Sequence, residues 1–152
     1  MTYARVFLVS VLAIALSACA PKRSTATDEA DVKAAIESFY AAVKKGDPKG
    51  AMAMIAPDGL FVESGRLETR QQYEENHLPL DIDFEKEITG KRSPWQIRIN
   101  GDTAWGIAST TYDQGAFEGR DVSFVSTQLA VVTRGEDGKW LIRSIHWSSM
   151  PL

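Results

Sequence analysis

Cysteine occurs once in the 152-residue chain, at Cys19, and histidine twice, at His77 and His146. One thiol cannot form an intrachain disulfide, so the fold must be held by its apolar core alone. No glycine-rich phosphate loop, nucleophile elbow or redox cysteine pair is present, which removes nucleotide hydrolysis, serine hydrolase chemistry and thiol exchange as leading candidates. Basic clusters are also missing. With 17 Lys+Arg against 20 Asp+Glu and a net charge of −3, nothing favours nucleic acid as a partner. The apolar run at residues 6–16 covers only about half of the ~20 residues a membrane-spanning helix needs.

That run follows the positive charge of Arg5 and leads into small residues, the pattern of a secretory signal. It ends at Leu16-Ser17-Ala18-Cys19, which resembles the bacterial lipobox. The resemblance implies removal of residues 1–18 as a signal peptide and lipidation of Cys19. Several acyl chains, each buried CH₂ contributing about 0.8 kcal/mol, hold such a protein firmly. The expected address is therefore the bacterial cell envelope, lipid-anchored at the outer membrane and facing the periplasm. Once acylated, Cys19 leaves no thiol for catalysis or metal binding.

Residues 19–28 are small, polar and proline-containing, and are expected to form a lipidated tether. Residues 29–152 fit a single domain. From Asp28, apolar residues at Val32, Ala35, Ile36, Phe39, Tyr40 and Val43 recur at helical spacing, and Gly46 ends the helix. Asp47-Pro48 starts a second helix. A short strand follows at residues 60–64, and Thr69-Arg70-Gln71-Gln72 has the spacing of a capping box for a third helix reaching His77. Beyond it, strands are expected at 83–91, 94–100, 103–112, 121–134 and 139–148, with turns at Asn100-Gly101 and Glu136-Asp137-Gly138. The Gly115 and Gly119 segment reads as a mobile strand connection. Helices first and antiparallel strands afterwards give an α+β domain.

This order of elements, with the ending Gly138-Lys139-Trp140-Leu141-Ile142-Arg143-Ser144-Ile145-His146-Trp147-Ser148, resembles the nuclear transport factor 2-like superfamily, and within it the ketosteroid-isomerase-like and polyketide-cyclase-like bacterial branch. The resemblance implies a cone: a strongly curved antiparallel sheet wrapped around three N-terminal helices, with a pocket at the open end. It also implies a homodimer formed through the outer sheet surface. Fold alone leaves function open, since the superfamily includes both enzymes and binding modules.

Simple alternation along the last strand puts Trp140, Ile142, Ser144, His146 and Ser148 on one face, making His146 a candidate for the pocket. An imidazole there would serve as base, acid or metal ligand, or else be a partly buried histidine bonded to a neighbouring strand. Glu63 interrupts an apolar strand just before Gly65, and reads as a proton acceptor or as a solvated strand end. Tyr73 and His77 share a helix face and suggest a pocket lid; the bland alternative is a histidine favoured at a helix C-terminus. Compared with ketosteroid isomerase, Tyr40 offers a phenol and Glu63 a base, whereas Asp102 and Asp113 fall in turns and supply no second acid. Trp95, Trp105, Trp147, Phe117 and Phe124 are candidates for an apolar lining.

The leading expectation is a pocket that binds a small, largely apolar molecule through Tyr40, Glu63, Tyr73, His77, Trp105 and His146, with no cofactor required. One alternative is transition-metal binding, Zn or Cu, through Glu63, His77 and His146. Another is an isomerase- or dehydratase-like enzyme with His146 or Glu63 as catalytic base, so whether the protein turns its ligand over stays open at this point.

Overall fold

The first helix, α1 (Thr25–Lys45), buries Val32, Ile36, Phe39 and Val43 along one stripe. A computed structural model describes residues 25–152; the expected signal peptide and Cys19 lie outside the described residues. Helix α1 thus begins inside the segment expected to be tether. The reason is Asp28, which stabilises the first turn of the helix dipole and pairs with Arg134 at 2.8 Å, while Arg134 lies over the Trp140 ring. Gly46, at φ +69°, ends α1 in a Schellman motif: its N–H donates to Val43 O and that of Asp47 to Ala42 O. Asp47 then caps α2 (Pro48–Ala53) by accepting from Gly50 N at 2.9 Å.

Strand β1 (Ile55–Glu63) turns through Ser64 and Gly65, both at positive φ, into β2 (Arg66–Thr69). The capping box read from the sequence is present, with Thr69 and Gln72 bonded reciprocally at the start of α3 (Arg70–Gln72). A π-helical turn (Tyr73–His77) follows and passes directly into α4 (Leu78–Glu87). Pro79 has no N–H to donate, and its ring excludes the carbonyl four residues back, which accounts for the widened turn before it. The strand expected at 83–91 is therefore corrected: residues 83–87 are helical, because Leu78 and Ile82 bury one helix turn apart. Pairing begins only at β3 (Lys91–Arg92).

The remaining strands are β4 (Gln96–Asn100), β5 (Thr103–Tyr112), β6 (Ala116–Phe117), β7 (Arg120–Asp121), β8 (Phe124–Arg134) and β9 (Trp140–Pro151). The main sheet runs β2-β1-β9-β8-β5-β3, with β4 also pairing β5, and stays open at its edges. Among the described residues only β1 and β9 pair in parallel. Its inner face packs Phe61, Ala104, Ala130, Val132, Ile142, Ile145 and Trp147 against the helices, giving the α+β cone that the sequence led us to expect. The glycine-containing connection at 115–119 is a small β6–β7 hairpin turning on Glu118 and Gly119, with Phe117 packed edge-on to Phe84.

One irregularity decides the polarity of β9. Val131 pairs with Ser144 while Val132 pairs with Ile142, so Arg143 is an extra residue bulged out of the ladder. Past the bulge the inward positions become Ile145 and Trp147, and His146 is exposed on the outer face.

Candidate functional site

A cavity of about 400 Å³ lies between the helices and the inner face of the sheet. Phe39 and Tyr40 of α1, Leu80 and Phe84 of α4, Tyr112, Phe124 and Trp147 of the sheet, and Phe117 of the hairpin form its apolar wall. Two polar groups interrupt that wall.

The first is built on His77. Its Nδ1 meets Glu68 Oε2 at 2.7 Å; its Nε2 lies 3.0 Å from Glu63 Oε2 and 3.4 Å from Asp81 Oδ1. Tyr73 donates its phenolic proton to Asp81 Oδ2 at 2.7 Å. Both ring nitrogens face carboxylates, so both carry protons. Burial by itself lowers the His77 pKa, but hydrogen bonds to Asp81 and Glu63, the Asp81 charge and the bond to Glu68 outweigh it and push it up to about 11. His77 is thus a fixed imidazolium at neutral pH rather than a base. It does not end a helix either, since α4 continues from it, which removes the helix C-terminus account of this residue.

The second group is centred on Arg92, whose guanidinium lies over the Tyr40 ring, 3.8 Å from its centroid. Its Nε donates to Thr110 Oγ1 at 3.1 Å, and Thr110 donates in turn to Gln128 Oε1 at 3.3 Å. Gly90 allows this edge to close up, since a Cβ there would stand 2.4 Å from Thr110 Cγ2 and 2.5 Å from the Tyr112 ring. Tyr112 donates to Glu85 at 2.8 Å. Desolvation holds the phenols of Tyr40, Tyr73 and Tyr112 protonated, well above the ordinary tyrosine range. Of the three, only Tyr40 has a buried hydroxyl proton with no acceptor among the described residues; the Trp147 indole points its N–H at the phenol oxygen.

The structure therefore brings Tyr40, Glu63, Tyr73 and His77 to one region and separates two other candidates from it. His146 is carried to the outer face by the bulge at Arg143, where it pairs with Leu129, and Trp147 takes the cavity position beside Glu63. Trp105 alternates outward on β5 between buried Ala104 and Gly106. The metal set Glu63, His77 and His146 is accordingly not assembled. Among the described residues no group of three or more His, Cys, Asp or Glu side chains is arranged to hold a metal ion. The carboxylates around His77 are instead bonded to its two N–H groups. Sequence reasoning did not single out Glu68, Asp81, Glu85 or Arg92. Asp81 alone had a signal, standing one helical turn beyond His77.

Solved structures with this fold come from several bacteria. A protein from Shewanella frigidimarina, provisionally assigned as a ketosteroid isomerase, is 25% identical with a TM-score of 0.74, covering 78% of this chain and 94% of its own. A provisionally assigned dehydratase of the NTF2-like family from Streptomyces avermitilis is 19% identical with a TM-score of 0.67, covering 85% of this chain and 99% of its own. No curated protein matches the sequence. Residues 32–152, nearly all of the cone and every wall of the cavity, match the SnoaL-like domain, and the chain belongs to that family.

Proposed function

We propose that the protein is a lipid-anchored envelope protein whose cavity binds a small, largely apolar molecule by a hydrogen-bond acceptor seated on the Tyr40 phenol. The observation that carries this reading is the buried Tyr40 hydroxyl proton, which has no acceptor among the described residues; a buried donor without an acceptor costs about 1–3 kcal/mol, and a bound carbonyl or hydroxyl oxygen would satisfy it. The aromatic wall supplies the apolar contact. Titration with an aromatic ketone, acetonaphthone, is expected to show binding that Tyr40→Phe weakens by roughly two- to tenfold and His146→Ala leaves unchanged. Absence of binding, or equal affinity in Tyr40→Phe, defeats the proposal.

A second reading, an isomerase- or dehydratase-like enzyme, is supported by Glu63, which lines the cavity, is about one-third exposed and has His77 as its donor. The same titration in deuterium oxide distinguishes it: protein-dependent deuteration of the ketone α-carbon, lost in Glu63→Gln, marks turnover.

The outer sheet face exposes Leu60, Trp105, Ile107 and Leu129, an apolar surface suited to a second copy of the chain. Native mass spectrometry of full-length protein extracted from membranes reads both remaining parts of the proposal. The expected particle contains two copies, each carrying acyl groups on Cys19, and Cys19→Ala is expected in the soluble fraction. A monomeric mass rejects the dimer; an unacylated, membrane-free wild type rejects the anchor.

A further inference from the structure

We infer that the ligand is an organic acid, with its apolar body in the aromatic cavity and its carboxylate held by the Arg92 guanidinium and the Tyr40 hydroxyl; this rests on the ligand-binding reading above. Glu63, Glu68 and Asp81 share the His77 imidazolium, and Asp81 also accepts from Tyr73. Glu85 accepts from Tyr112. Each of these acids has a donor supplied by the protein.

Arg92 is in the opposite condition. It lines the cavity, and among the described residues it makes no ion pair; its one hydrogen bond, through Nε, goes to the neutral Thr110. Among the described residues the terminal amino groups of the guanidinium find no acceptor. Directly beneath it lies Tyr40, whose buried hydroxyl proton likewise has no acceptor among the described residues. A cationic fork and a phenol at one place, both donors and neither with an acceptor, match the two oxygens of a carboxylate. A neutral carbonyl would satisfy Tyr40 but leave the guanidinium half-buried and uncompensated. The ring beneath Arg92 and its bond to Thr110 hold the fork in place before the ligand arrives, which lowers the ordering cost of binding. Glu85 borders the same region and would repel an incoming carboxylate, an effect that its bond from Tyr112 reduces.

The test uses three congeners of one shape, naphthylacetic acid, its primary amide and naphthylethylamine, titrated calorimetrically into the full chain. The acid is expected to bind at least about tenfold more tightly than the amide, the factor of one charge-assisted hydrogen bond, and the amine most weakly. Arg92→Met, which keeps an apolar stem over Tyr40, is expected to abolish the preference of acid over amide without weakening the amide. Arg92→Lys, retaining charge but not the fork, is expected to fall between. Should Arg92→Met fail to fold, the wild-type ranking and the lysine variant still decide the matter. Equal affinity for acid and amide, or preference for the amine, overturns the acid inference while leaving the cavity reading intact. Failure of all three to bind overturns both.

Discussion

Replacing His77 with alanine is expected to destabilise the protein by about 1–3 kcal/mol or more, the cost of stranding buried charged acceptors, and to reverse how its stability depends on pH. In the native protein one imidazolium serves Glu63, Glu68 and Asp81. Its folded-state pKa of about 11 stands above the ordinary 6.5. The folded state therefore holds a proton that the unfolded chain releases throughout that interval. Stability from this site is fully present below about pH 6.5 and declines as pH rises towards 11. In His77→Ala the three carboxylates face one another with only the exposed Arg66, 3.9 Å from Glu68, as a nearby cation. Protonating them then relieves repulsion, so the variant should gain stability towards acid and lose the alkaline slope of the wild type. Urea unfolding between pH 6.5 and about 9 measures both slopes, below the range where the unfolded tyrosines ionise and the raised phenols of Tyr40, Tyr73 and Tyr112 add their own alkaline decline. A wild type with no decline in that window, or a variant that keeps it, refutes the imidazolium assignment.

The same geometry shows how far sequence patterns reach. The helix stripe of α1, its stop at Gly46, the cap at Asp47 and the capping box at Thr69 and Gln72 are local chemistry, and each is found where the residues put it. The end of the third helix was not legible. Ile82, Phe84 and Ile88 fit strand alternation as readily as a helical step, and the choice is made by burial of Leu78 and Ile82 against the core. His146 illustrates a different failure. Alternation is sound until one bulged residue, Arg143, reverses it, and no residue in the sequence announces the bulge. The polar site depends on long-range meetings: Glu68 of β2 with His77, and Arg92 of β3 with Tyr40 of α1. Such pairs follow from strand order, which composition and spacing do not encode.

Tyr73 is where the core and the site meet, and its two substitutions should separate what each contributes. The side chain is fully buried, its ring stacked on Phe61 at 3.9 Å between centroids and lying 6.1 Å from Trp147. Removing it in Tyr73→Ala is expected to cost about 3–5 kcal/mol, as for other large aromatic deletions from a core. Tyr73→Phe keeps the stack and deletes only the hydroxyl, so its cost should be about 1–3 kcal/mol, the penalty of taking a donor from Asp81. That smaller loss bears on function, because Asp81 lines the cavity and is held by Tyr73 on one oxygen and by His77 on the other. Without the phenol, Asp81 is tied by His77 alone, and its second oxygen can turn towards the cavity. Binding of a carboxylate ligand should then weaken in Tyr73→Phe through added negative charge, even though the phenol touches no ligand. Equal destabilisation by phenylalanine and alanine would assign the whole effect to the hydroxyl and refute the packing role. An unchanged affinity for naphthylacetic acid would show that Asp81 stays in place without its tyrosine.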